Sequence, residues 1–212
     1  MLTDPRFETY YHMLVSWNER MNLTAITERE AVYKKHFEDS LAALDYIPKG
    51  ARVIDVGTGA GFPAVPIMLM RPDIQVTLVD GLQKRIGFLC ELLHELDLTA
   101  QCIHARAEDI GRDKRYRGSF DIALSRAVAA LPVLLEYTVP LLKVGGVSIC
   151  YKGDAGEELD SASNAAHKLN AVLTSVDVNA DWGKRCLIFA KKTAPTPNIY
   201  PRKAGTPQKS PL

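Results

Sequence analysis

Residues 53–62 read VIDVGTGAGF: an apolar run leads directly into Gly57, Gly59 and Gly61, and Asp55 stands two residues before the first glycine. Glycine turns sharply at positive φ and leaves no side chain between the main chain and a ligand. A second apolar run, 76–79, ends in Asp80-Gly81-Leu82, and a third is followed by Ala107-Glu108. A dinucleotide site prefers the spacing GxGxxG, with pyrophosphate resting on a helix N-terminus. The loop here is GxGxG behind an acid, and a carboxylate in that position suits a ligand that lacks phosphate and carries positive charge. S-adenosylmethionine has both an ammonium and a sulfonium. Asp80 is placed to accept hydrogen bonds from ribose hydroxyls in either class of ligand, and Glu108 to meet groups on the adenine side. The competing reading of Asp55 is a structural carboxylate that caps the loop.

If the ligand is a methyl donor, the acceptor is narrowed by what the sequence lacks. Enzymes that methylate exocyclic amino groups carry an Asn/Asp-Pro-Pro-aromatic loop after the fourth strand. Here that strand runs into Ser125-Arg126-Ala127-Val128. Attack at carbon-5 of a pyrimidine needs a thiolate, yet Cys90, Cys102, Cys150 and Cys186 all lie in apolar contexts without a Pro-Cys turn. Guanine N7 has an in-plane lone pair and loses no proton on methylation, so alignment suffices. Arg126 is the candidate catalytic residue, aimed at guanine O6, at a phosphate or at the cofactor. Its competing reading is an ion pair with Asp55 or Glu108.

These residues need a frame to bring them together. Short β-type runs at 53–56, 76–79, 101–104, 121–124 and 147–151 alternate with helical stretches at 66–70, 83–96 and 131–142, the rhythm of a doubly wound parallel α/β sheet. A helical run over 157–173 follows. Strand candidates at 175–179 and 185–191 are close enough to form an antiparallel hairpin. Residues 1–50 show helical spacing (Phe7, Tyr10, Leu14, Trp17), with Thr27 as an expected N-cap and a further run at 34–44; they read as a helical cap on the domain at 51–192. Trp17 is expected in the core rather than as a base platform, and His36 as a packed residue rather than a proton carrier. The segment 193–212, basic and with five prolines, is expected to be extended rather than packed.

The chain of 212 residues has 47% hydrophobic and 24% charged residues, enough apolar content for a real core, and a net charge of only +1. Two local basic clusters stand out, Arg112–Arg117 and Lys191–Lys209, either of which could meet phosphate or simply face solvent. No apolar run reaches the roughly eighteen residues of a membrane span, and the N-terminus lacks a leader pattern, so a cytoplasmic protein without a membrane partner is expected. No cysteine pair has metal-ligand spacing, and no metal is expected.

The sequence resembles the RsmG methyltransferases (glucose-inhibited division protein B) almost end to end. The likeness is carried by Trp17-Asn18, Met21–Thr24, His36–Leu41, Asp55–Pro63, Leu78–Asp80, Lys84-Arg85, Arg106–Glu108, Ser125–Ala127, Lys152-Gly153 and, most specifically, by the tail Tyr200–Pro207 with Pro211-Leu212. The resemblance implies a Rossmann-like class I methyltransferase fold, with a seven-stranded sheet, that transfers the methyl of S-adenosylmethionine to guanine N7 in small-subunit (16S) ribosomal RNA. It implies donor contacts from Gly57, Phe62, Asp80, Gly81, Leu82, Ala107, Glu108 and Arg126, and RNA contacts from Asn22, Arg126, Lys152, Arg202 and Lys203. A monomer acting on free rRNA or an assembling 30S particle is expected. Two departures, Ala64 for a usual glycine and Gly81 for a usual serine, leave the loop glycines and Asp80 intact, so activity is expected to survive. The alternatives are a nicotinamide-dependent oxidoreductase and a non-catalytic RNA-binding assembly factor.

Overall fold

The apolar runs form the sheet they predict. In the computed structural model, which describes residues 2–212, the strands are β1 (Arg52–Val56), β2 (Gln75–Asp80), β3 (Gln101–His104), β4 (Phe120–Arg126), β5 (Leu142–Lys152), β6 (Ala171–Val178) and β7 (Arg185–Lys192). Their order is β3-β2-β1-β4-β5-β7-β6. The first five pair in parallel, whereas β7 runs antiparallel to both β5 and β6. Central β1 is buried along Val53–Val56, as a parallel strand covered on both faces must be. The chain steps outward from β1 to β3 and then returns to β4, so the reversal lies between β1 and β4. Ligands of open α/β sheets bind at the carboxyl ends of strands at such a reversal.

Alternate strand residues face opposite layers. Val53, Leu78, Leu124 and Tyr151 pack with helices α1 (Arg6–Met21), α4 (Ala64–Met70) and α5 (Gln83–Glu95). Ile54, Val79, Ala123 and Cys150 pack with α6 (Ala107–Arg112), α7 (Leu131–Thr138) and α8 (Gly156–Leu169). Helix α1 buries Phe7, Tyr10 and Leu14, and its Trp17 packs edge-on against Phe88 of α5 with ring centroids 5.5 Å apart, so it is a core contact. The N-terminal helices therefore share the sheet's own core.

Several boundaries differ from those predicted. The second helical segment starts at α2 (Arg29–Val32), and its N-cap is Glu28, whose carboxylate accepts from the Glu30 and Ala31 amides, not Thr27. It continues as a π-helical turn, Tyr33–Glu38, into α3 (Asp39–Leu41). Helix α8 stops at Leu169, four residues before the predicted end, because Asn170 takes a left-handed conformation (φ 59°) and the β-branched sequence after it enters β6. The predicted helix 131–142 narrows to a 3-10 turn at Val139–Leu141, where Pro140 interrupts it, and α6 carries no period long enough to have been predicted.

The tail is the main correction. It is packed, with Thr196, Tyr200, Pro201 and Pro207 buried, and ends in a short helix, α9 (Thr206–Lys209). Proline removes the amides a strand would need, so side chains bind the tail's carbonyls instead. Arg117 donates to the Thr196, Pro197 and Tyr200 carbonyls and Arg112 to that of Pro201. Two of the four cations of the first basic cluster thus clamp the tail, while Arg115 pairs with Asp113. Arg202 donates from Nε and Nη2 to the fully buried Glu136 of α7, at 2.6–3.1 Å. Lys192 is buried too, with Nζ on the Val139 and Leu142 carbonyls.

An Arg202→Ala variant removes the guanidinium from buried Glu136 and leaves it only the backbone amide of residue 202, which donates to Oε1 at 2.7 Å. Removing one member of a buried pair costs about 3–5 kcal/mol, so the urea midpoint should fall accordingly and proteases should cut sooner after Lys192. A loss under about 1 kcal/mol would mean that the pair is solvated and does not hold the tail.

Candidate active site

The glycine turn is fastened from three sides. The Gly57 and Thr58 amides donate to the Val79 carbonyl at 2.9 and 3.1 Å, tying β1 to β2. Gly57 has φ +72°, and a Cβ there would lie 2.5 Å from Cγ2 of Val128 in the loop after β4. Gly61 has φ +95°, and a Cβ there would meet the Tyr10 hydroxyl at 2.7 Å and Val65 at 2.8 Å. Its bareness admits Tyr10 of α1, whose hydroxyl donates to the Ala60 carbonyl.

Asp80 secures the turn from below. Its Oδ2 accepts from the Gly59 amide at 2.9 Å and from Arg85 at 3.3 Å, and its Oδ1 accepts from the Leu82 amide at 2.9 Å. Asp55 is fully buried beneath the turn; Oδ2 accepts a long bond from the Ala64 amide, 3.4 Å, while Oδ1 and the nearby Thr58 hydroxyl have no partner. Burial pushes the Asp55 carboxyl up to about 7, against the opposing pull of nearby Thr58, of the Ala64 amide and, less strongly, of Arg126. An unpartnered buried oxygen is uncommon and calls for an explanation.

Two clefts meet at Gly57. The smaller, about 310 Å³, lies between Gly57, Asp80, Gly81, Ala107, Glu108 and Val128. The tail closes one side of it: Gln208 lines the cleft, and the Gly205 amide donates to Glu108 at 2.7 Å. The larger, about 560 Å³, has the glycine turn as its floor and Arg126, Lys152, His36, Trp182 and Arg185 among its walls.

Arg126 is fixed by a residue that its competing reading did not include. Its Nη1 donates to Asp39 at 3.0 Å, and its guanidinium lies 4.9 Å from the centre of the Phe62 ring. Asp39 is 2% exposed and also takes Nε and Nη2 of Arg185, each at 2.7 Å. His36 stacks on one side of Phe62 at 4.6 Å and Tyr10 at 5.2 Å. Since Arg126 only donates, the His36 Nδ1 that meets its Nη2 is the acceptor; Nε2–H then donates to Thr24 at 2.8 Å. Burial, reinforced by Arg126, lowers the His36 pKa to about 4, so the ring is neutral. It is a packed residue, as its sequence context suggests. Lys152 donates to the Ala129 carbonyl and to Glu158.

The predicted site residues therefore divide. Gly57, Gly59, Phe62, Arg126 and Lys152 share the larger cleft; Gly57, Asp80, Gly81, Ala107 and Glu108 share the smaller one. Asp55 and Gly61 lie under the turn rather than on a wall. Leu82 is 56% exposed, lines neither cleft and has given its amide to Asp80. Asn22 is the left-handed cap of α1, φ 49°, and it too lines neither cleft. Arg202 is committed to Glu136, whereas Lys203 is exposed. Sequence reasoning missed Asp39, Arg185 and Trp182. Asp39 was in view within the His36–Leu41 stretch, but nothing local ties it to an arginine 146 positions away.

A model of the GidB family, described as rRNA small subunit methyltransferase G, matches residues 3–185. The chain is 50% identical to a ribosomal RNA small subunit methyltransferase G of Desulfitobacterium hafniense, over 98% of this chain and 88% of that protein. It is 47% identical to the protein of the same name from Streptococcus agalactiae, over 100% and 93%. Among solved structures it is similar to a methyltransferase from Pyrococcus furiosus (TM-score 0.63, 13% identity, 89% of this chain and 99% of that one). It is also similar to a precorrin-6y C5,15-methyltransferase from Geobacter metallireducens (TM-score 0.55, 14% identity, 82% and 92%). These structural likenesses establish the Rossmann-like methyltransferase fold expected from the sequence.

The raised pKa of Asp55 has a measurable consequence. Its folded value, about 7, lies above the unfolded value of about 3.9, so the folded state binds this proton more tightly. Its stabilising contribution is complete below about pH 4 and is lost as pH rises through 7. Without ligand, unfolding stability should fall by up to about 1.4 kcal/mol per pH unit across that window relative to Asp55→Asn. Parallel wild-type and variant curves in urea titrations at pH 5, 6 and 7 would refute it.

Proposed function

The chain belongs to the rRNA small subunit methyltransferase G family, and from that premise we propose that it methylates guanine N7 in small-subunit ribosomal RNA, with S-adenosylmethionine as donor. The observation that carries the reading is the pairing of an unpartnered carboxylate oxygen under the glycine turn with a neighbouring cleft whose free polar groups are donors. When bound, the donor supplies an electrophilic methyl carbon on a sulfonium.

The residues present fit that donor. Asp55 Oδ1 and the Thr58 hydroxyl, both without partners, leave acceptor capacity in and beneath the turn for a cationic end, and of the two Thr58 reaches a cleft wall. Asp80 and Glu108 line the smaller cleft with the apolar Val56, Val79 and Ala105, a setting for ribose hydroxyls and an adenine ring. The same features disfavour a nicotinamide dinucleotide. A pyrophosphate needs free amides at the turn, but the Gly59 amide is already bonded to Asp80 and the Gly57 and Thr58 amides to the Val79 carbonyl. The contacts assigned to Gly81, Ala107 and Phe62 fall to backbone atoms or ring edge, because Tyr10, His36 and Arg126 already pack on the Phe62 ring.

The larger cleft suits an acceptor that needs no base. Among the described residues Asp39 is the one carboxylate on its wall, and it is spent on two arginines. His36, with its pKa near 4, is too weak a base to hold a proton at neutral pH. The Tyr151 hydroxyl donates to the Ser40 carbonyl. No cysteine lines the cleft, and burial pushes the Cys150 thiol up to about 11. Guanine N7 sheds no proton and requires no thiolate. Arg126, its Nη1 committed to Asp39, presents its Nε edge to guanine O6 or a flanking phosphate. Lys152 and exposed Lys203 are the stronger RNA contacts from the sequence; Arg202 is reassigned to holding the tail, and Asn22 to ending α1.

Purified protein incubated with methyl-labelled donor and small-subunit rRNA, free or in assembling particles, should label a single guanosine. Nucleoside mass spectrometry should identify it as the N7-methyl form. Arg126→Ala should lower turnover by roughly 100-fold while donor affinity in calorimetry changes much less. Label on an exocyclic nitrogen or a carbon would refute the N7 assignment. Tight binding of NAD in place of the sulfonium would refute the donor.

A further inference from the structure

Among the described aromatic side chains of the larger cleft, Trp182 alone is neither buried, as Tyr151 is, nor stacked on another ring. Phe62 is covered by Tyr10 and His36, and His36 is held in that stack. Trp182, in the turn between β6 and β7, lines the same cleft and is half-buried, yet its indole packs on no aromatic ring among the described residues. Three positions on, Arg185 opens β7. Asp39 holds its Nε and Nη2 at 2.7 Å each, which leaves Nη1 for a ligand. A guanidinium already fixed along one edge loses little further freedom when it binds. Asp39 holds Arg126 as well, so two guanidiniums share one carboxylate and the group keeps a net positive charge.

A π face beside an aimed cation is how proteins hold unstacked nucleotides: the base stacks on the ring and the phosphate meets the arginine. A base within a duplex is stacked on its neighbours and does not reach a ring set in a cleft wall. The sheet brings Trp182 and Arg185 to the edge where Arg126 ends β4, because Cys186 pairs with Lys152 and Tyr151 with Arg126.

We propose that the β6–β7 turn is an RNA-reading element: Trp182 stacks on an unpaired base adjoining the nucleotide to be methylated, and Arg185, aimed by Asp39, binds the phosphate between them. This rests on the assignment as an rRNA methyltransferase and adds a second nucleotide subsite to it.

Steady-state methylation of protein-free small-subunit rRNA by the full chain tests it. Trp182→Leu should raise KM for RNA about tenfold with kcat within about twofold, and Trp182→Phe should restore most of the loss. Arg185→Gln should raise KM and reduce the slope of log KM against log salt by roughly one phosphate contact. Donor affinity in calorimetry should stay at the wild-type value in all three variants. The chain has two tryptophans, so in a Trp17→Phe background the fluorescence reports Trp182 alone and should be quenched as RNA is added. Wild-type KM and salt slope in the variants, or unquenched emission, overturns the subsite even while wild-type protein methylates rRNA. Loss of donor affinity together with thermal stability, at an unchanged salt slope, assigns the turn a structural role and overturns it as well. Failure of the wild-type protein to methylate any rRNA would instead remove the assignment beneath it.

Discussion

A single buried carboxylate joins the parts of this molecule that make a cleft. Asp39 sits on the helical cap, Arg126 at the end of β4 and Arg185 at the start of β7, and three bonds of 2.7–3.0 Å converge on it. A carboxylate that is 2% exposed would be strongly disfavoured by itself, and two guanidiniums on its oxygens offset the lost hydration. The π-helical turn just before it matters because a π turn shifts the register of the residues that follow. His36 and Asp39 thereby both meet the sheet edge. Without this junction the sheet would still form, since its core lies elsewhere, but Arg126 would have neither a fixed direction nor a wall opposite it.

The C-terminal segment repeats the device. Glu136, fully buried in α7, receives Arg202, while Arg112 and Arg117 close on the tail's carbonyls. Both segments outside the sheet are thus held to it by arginine, and this changes how the net charge of +1 should be understood. Charge bound in internal pairs contributes little field outside the molecule. What faces the larger cleft is a small local excess, made of Lys35 and the shared Asp39 group, since Lys152 is paired with Glu158. A near-neutral protein can therefore present a positive acceptor cleft without a broad basic surface.

How much was legible in the sequence follows the same division. The glycine turn, Asp80, Glu108 and Arg126 could be read as candidates because each ends or follows a strand at the carboxyl edge of a parallel sheet, a local pattern with one spatial meaning. The alternation of strands and helices was readable for the same reason. The partner of Arg202 was not legible because composition registers a cation but not what it pairs with. A signal did exist: Glu136 is the lone acid in the apolar stretch 131–142, and an acid in such a helix requires a buried cation. Five prolines suggested an extended tail because they preclude a strand, but arginine side chains can satisfy carbonyls without one. Trp182 lay in a segment read only as a turn, and its cleft comes into being when β7 inserts between β5 and β6, an order that no spacing encodes.

On the proposed reaction, positive charge moves from one cleft to the other. Transfer would carry charge away from the cleft lined by Asp80 and Glu108 and towards the one lined by Arg126, Arg185 and Lys152. Bare guanidiniums would oppose that movement, since each lies within range of the developing cation. Asp39 removes much of the difficulty: with one carboxylate between two arginines, the donors keep their directions while their combined field is roughly halved. His36, neutral where it stacks beside Arg126, adds no further charge. The remaining excess then acts mainly on the product, whose cationic base is held less well than the neutral one that entered. The carboxylate that builds the cleft thus also sets the balance between gripping an electron-rich ring and releasing a charged one.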